Sequence, residues 1–236
     1  MKMNTTLRRT RGFTLVELLV VIAIIAALAG LATPAILRAK KSADLTEATN
    51  NLRNLGIFMF AFEDEFGTFP SEEIYSDNQN RFKNASGGTD ANALLGLLIA
   101  GGFTNSEEVF YAKGGASINK KPDNVTNSPA KLLQAGECGF GYVMINQSEA
   151  MSTSDNGGRP LLVAPLEKNS GGSNPQFNDN PYNGRGVYLR IDQSVKQNQV
   201  EVDEGTCLLP GNQHLFETGE NSVWGSDLQP DVKAPE

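Results

Sequence analysis

The sequence predicts an α+β protein: one long amino-terminal helix, membrane-spanning over its first half, packed by its second half against a small antiparallel β-sheet. Three observations carry that expectation. Leu18 to Leu37 is a run of 20 residues without a charge, the length a helix needs to cross a hydrocarbon core. Directly after it, Leu45, Ala48, Leu52, Leu55, Met59 and Phe62 recur at spacings of three and four, which lays one apolar stripe along a helix. The remainder breaks into short β-type runs separated by Gly/Asn/Ser-rich loops.

Taken in order, the helix is expected over residues 13–65, spanning the membrane over about 15–37. At 1.5 Å per residue, Phe13 to Phe62 would extend about 75 Å. Pro34 is expected to kink or open it, because proline lacks an amide donor and clashes one turn back. Gly67 suits a left-handed helix end and Pro70 forbids continuation. Asn92 to Phe103 reads as a short amphipathic helix ended by Gly101 and Gly102, beside the sheet. Strand-like runs follow at Phe140 to Asn146, Arg159 to Leu166, Gly186 to Asp192 and Ser194 to Val202. The last two, divided near Asp192 and Gln193, suggest a hairpin. The only tryptophan, Trp224, is expected to plug the edge of the core.

Charge is unevenly placed. The chain of 236 residues carries a formal −7, yet Lys2, Arg8, Arg9 and Arg11 precede residue 13 with no acid among them. The rest sets 16 basic against 27 acidic residues, a body at −11. An acidic body repels phosphate backbones, so nucleic acid is excluded as a general partner. The basic start favours a cytoplasmic amino terminus, although Arg38, Lys40 and Lys41 beyond the span weaken the asymmetry.

Glu17 is the anomaly in the apolar segment. A lone carboxylate inside a membrane helix costs about 2.5 to 3.5 kcal/mol on insertion scales and needs a partner. A secretory signal peptide cleaved after Ala27-Leu28-Ala29 would have no use for it, and the apolar run continues past that point to Leu37. The helix reads as one built to stay.

Arg11-Gly12-Phe13-Thr14-Leu15-Val16-Glu17, followed by a long apolar run containing Pro34, resembles the cleavage and methylation segment of type IV pilins and type II secretion pseudopilins. The resemblance implies a leader over residues 1–12, cleavage after Gly12 by a prepilin peptidase on the cytoplasmic side, methylation of the new amine of Phe13, and a pilin-like body over residues 66–236 in the periplasm. The chain would sit in the bacterial inner membrane as a single-pass precursor, in contact with membrane lipid. An inner-membrane assembly platform would then polymerise it with itself and other pseudopilins. Cutting at Gly12 creates a cation that can meet Glu17 of a neighbouring subunit, a pairing that penalises wrong axial offsets and would set filament register. Ala61 to Glu73 resembles the helix-to-loop junction of pseudopilins and points to a major, G-type member. A type IV pilus subunit for adhesion or motility, and a secreted soluble domain freed after Ala29, are the alternative readings.

The remaining chemistry is sparse. Cys138 and Cys207 either form a disulfide, worth about 4 kcal/mol for a loop of roughly 70 residues, or lie as two buried thiols. Asn178, Asp179, Asn180, Asp203 and Glu204 offer the hard oxygens calcium takes, without EF-hand spacing, and pseudopilins hold calcium in a late loop, so calcium is a candidate ligand whose residues stay unassigned. His214 is the one histidine and no nucleophile, zinc or nucleotide motif accompanies it, so no enzyme is expected. Glu72 with Glu73 and Glu107 with Glu108 read as solvated faces.

Overall fold

A computed structural model describes residues 13–113, 118–168 and 170–236. The chain divides into two compact units, Met1–Lys40 and Lys41–Glu236. Helix α1 comprises Leu15–Phe66, and α2 (Glu72–Asp77) and α3 (Ala91–Ala100) follow it. The strands are β1 (Gly141–Met144), β2 (Pro160–Ala164), β3 (Arg185–Arg190), β4 (Val195–Glu201), β5 (Thr206–Cys207) and β6 (Asp231–Lys233). They form one antiparallel sheet in the order β5-β4-β3-β2-β1-β6. The α+β class is therefore the one the sequence predicts.

In the second unit the stripe Leu45, Ala48, Leu52, Leu55, Met59 and Phe62 is buried throughout, which places the apolar face of α1 in the core. Gly56 lies on that face. A Cβ built there would stand 3.3 Å from Leu189 Cδ1 on β3, so the absent side chain is what lets helix and sheet approach. Polar contacts fix the docking. Gln197 Nε2 on β4 donates to Thr49 Oγ1 at 2.8 Å, and the buried Tyr142 hydroxyl on β1 donates to the Pro70 carbonyl at 2.9 Å. The helix ends where expected: Gly67 takes φ +82° and donates to Glu63 O at 2.7 Å.

Helix α3 departs from the amphipathic expectation, because every residue from Ala91 to Ile99 is buried. Its leucines, alanines and isoleucine leave no polar side except Asn92, and that residue is fully engaged. Asn92 Nδ2 donates to Leu133 O at 3.1 Å and Gln134 O at 3.0 Å, while its Oδ1 accepts from Glu236 N at 3.0 Å. A helix apolar all round belongs in an interior. Asp90 caps it by accepting from Ala93 N at 2.9 Å, and Gly102 at φ +83° follows its end.

All four expected strands form. The β3–β4 hairpin turns at Asp192 and Gln193, where Gln193 takes φ +64° and Arg190 N donates to Ser194 O at 3.0 Å. Helix α2 and strands β5 and β6 were not anticipated. Trp224 is buried, donates through Nε1 to Leu215 O at 3.0 Å and stacks on Phe216 at 6.2 Å between ring centroids.

Candidate functional site

Gly12 lies outside the described residues, and Phe13, the first of them, is 76% exposed. Thr14 is the last residue before α1, and its hydroxyl accepts from Glu17 N at 3.2 Å. Glu17 returns the contact: its Oε2 accepts from Thr14 N at 2.9 Å and from Thr14 Oγ1 at 2.7 Å. Thr14-Leu15-Val16-Glu17 is thus a reciprocal capping box, in which two helix-end amides that have no intrahelical acceptor each find a side-chain oxygen. Its negative charge also sits at the positive end of the helix dipole. The carboxylate that stood unexplained in the apolar sequence is held within its own chain, and both bonds fall on one oxygen.

The helix downstream has no inner face. Residues 13–40 are exposed without exception, with Leu31 at 81%. Of the helices described, this one alone is long and apolar enough to cross a membrane. A large exposed apolar surface of this kind is stable only against lipid or other helices. Helix α1 runs through Pro34 without interruption. Proline deprives the Gly30 carbonyl of its amide donor, and one residue earlier Thr33 Oγ1 donates to Ala29 O at 2.7 Å.

Arg8, Arg9 and Arg11, the capped acid Glu17 and the start of the exposed apolar helix all lie within residues 7–33, the stretch that one family model matches. The chain carries a prokaryotic N-terminal methylation motif. That is the motif of the type IV pilin and pseudopilin class, and here it is joined to a long apolar helix. Neither a search of curated proteins nor one of solved structures returns a match.

The other sequence candidates fall elsewhere. Cys138 and Cys207 are free thiols, so the disulfide weighed from the sequence is not formed here. Cys138 Sγ lies 3.5 Å from the Phe140 carbonyl, whereas Cys207 packs beside Gly186 and Phe177. Burial pushes both thiols up to about 12, which keeps them protonated and unreactive. Of the late-loop oxygen residues, Asn178 Oδ1 accepts from Asn180 N at 2.9 Å, an Asx turn, and Asn180 Oδ1 accepts from Lys41 Nζ at 2.6 Å. His214 sits between Glu204, 3.7 Å from its Nδ1, and Glu201, 4.0 Å from its Nε2. The two acids face opposite ring nitrogens.

One pair of acids contradicts its reading as a solvated face. Glu72, Glu73 and Glu108 are exposed, but Glu107 is fully buried, as is Glu137. Nothing in a Ser-Glu-Glu-Val stretch distinguishes the inward acid. The capping box, by contrast, was visible as Thr-x-x-Glu ahead of an apolar run, and Thr14 is the functional residue whose role that spacing could have given.

Proposed function

We propose that this chain is a pseudopilin subunit: cut after Gly12, methylated on the amine of Phe13, and polymerised through its apolar helix into a periplasmic pseudopilus for type II secretion. The observation that carries the reading is the methylation motif over residues 7–33 continued by an uncovered apolar helix. Residues 1–12 act as the leader, residues 15–37 hold the subunit in the inner membrane with its amino terminus cytoplasmic, and the body faces the periplasm. Prepilin peptidase processes the chain, and the inner-membrane assembly platform extracts it.

Glu17 is the register element. Removing residues 1–12 leaves a cationic amine at Phe13, one residue ahead of the capping box. Oε1 of Glu17 takes no part in the bonds from Thr14, so it can face the amine of an adjoining subunit while Oε2 holds the helix end. An ion pair gains strength as lipid excludes water, and leaving it unmade costs several kcal/mol. Subunits stacked at a wrong offset leave it unmade.

The intact mass of the mature protein tests the reading. A start at Phe13 carrying one added methyl group is the expected result. A start at Gly30 identifies a discarded signal peptide and removes the proposal. Glu17→Ala is expected to be processed but to give few or misaligned polymers. Loss of secretion without the gene, against loss of long surface fibres, separates the pseudopilus from the adhesive or motility pilus.

A further inference from the structure

The loop joining β2 to β3 closes on the first residues of the second unit. Asn180 Oδ1 accepts from Lys41 Nζ at 2.6 Å, and Asn183 Nδ2 donates to Ser42 Oγ at 3.1 Å. The β4–β5 turn is fastened beside that loop, since Val200 N donates to Gly184 O at 2.9 Å and Phe177 N donates to Gly205 O at 2.6 Å. Two segments distant in sequence thus share one end of the body with Lys41. The β3–β4 turn at Asp192 and Gln193 marks the other end of strand β3, about 20 Å from Arg185 at about 3.4 Å per residue.

Chain length fixes where the Lys41 end lies. Lys41 follows Leu37, the last residue of the apolar span, by four positions of helix α1. Four helical residues rise about 6 Å, which is the depth of a headgroup layer, about 5–8 Å on each side of the hydrocarbon core. Even fully extended they reach no further than about 14 Å. The charges at this end are of both signs and uncompensated. Lys41, Asp179, Arg185 and Asp203 all have exposed surface, and none of the four makes an ion pair among the described residues. Lys41 is held by the neutral Asn180 amide alone.

We propose that this end of the body rests in the headgroup layer of a zwitterionic phospholipid, with Lys41 and Arg185 meeting phosphate and Asp179 and Asp203 meeting ammonium. The inference depends on residues 15–37 being the membrane anchor proposed above. A surface of one sign selects lipid of the opposite sign; here both signs are presented together, as they are in the headgroup. Arg185 brings the planar fork that suits a phosphate. Val202, 71% exposed on the same turn as Asp203, stands at the level of the headgroups. Extracting a subunit from the bilayer must break these contacts.

Cys138 and Cys207 are buried thiols, so a single surface cysteine takes a fluorescent label alone. Full-length protein labelled at Val202→Cys, Gln193→Cys or Leu28→Cys and reconstituted in phosphatidylcholine vesicles tests the proposal, with nitroxide carried on the lipid headgroup or on the acyl chain. The Val202 label should lose emission to the headgroup nitroxide and the Gln193 label should keep it, while the Leu28 label should be quenched from the acyl chain. A Leu28 label that escapes quenching removes the anchor and this inference with it. A quenched Leu28 label with Val202 unquenched, or quenched no more than Gln193, overturns this inference alone. Replacing phosphatidylcholine by phosphatidylglycerol should restore emission at Val202, because the anionic surface repels Asp179 and Asp203; deeper quenching there overturns the zwitterionic pairing. Energy transfer between Val202 labels that persists in detergent identifies a second subunit as the occupant instead.

Discussion

Glu107 carries the clearest pH dependence at the scale of single residues. Its carboxyl is held above the ordinary value of 4.5, first by desolvation and then by the Glu137 and Asp123 charges, against the opposing amide bonds from Leu133 and Asn124. The folded state therefore binds this proton more tightly than the unfolded chain does. The linked contribution to stability is greatest below 4.5 and is lost as pH rises from there through the raised value. Denaturation midpoints taken across that range should fall with pH in the wild-type protein. Glu107→Gln should flatten this component while lowering the whole curve by about 1–3 kcal/mol, because a Gln amide can serve only one of the two backbone donors. The same residue marks a limit of sequence reading. Glu107 and Glu108 are adjacent and identical, and only the fold turns one inward. Glu17 is the opposite case, since Thr14 three positions before it was sufficient to foresee the cap.

Helix α1 shows how one element meets two different demands. Its second half follows the period of a core-facing helix, and the structure buries that stripe position by position. Gly56 is where that stripe meets Leu189 of β3. Gly56→Ala should be near neutral, since the added Cβ meets only the mobile end of Leu189 at 3.3 Å and gains helix propensity. Gly56→Leu should overpack the helix–sheet contact and cost about 1–3 kcal/mol, read from the denaturant midpoint. In α3, Asp90→Ala should cost about 1 kcal/mol by removing the acceptor for Ala93 N. The periodicity of α3 was misread as amphipathic because a ten-residue helix with one interior-facing Asn carries too few polar positions to define a wet side. Helix α2 and strands β5 and β6, of six, two and three residues, are too short for any period to emerge.

For the whole molecule, the two cysteines give a direct check on how the body is held together. Both are buried free thiols pushed up to about 12. A thiol reagent at pH 8 should leave native protein untouched and modify both cysteines once denaturant is added, and reductant should leave the thermal midpoint unchanged. Reaction of neither thiol in denaturant would reveal a bond between them. The body is instead stabilised by its apolar interior: the α1 stripe, the enclosed α3, and strands β1 and β2, buried along their full length. The sequence by itself determined the membrane-length helix, its continuation as a core stripe, the four main strands and the methylation motif. Each rests on a local period or spacing that neighbouring residues define. Only the tertiary structure decided which acids turn inward, that both cysteines lie buried as free thiols, and which short segments close the sheet. Those outcomes depend on residues distant in the chain meeting in space, where desolvation and packing, rather than local pattern, set the energy.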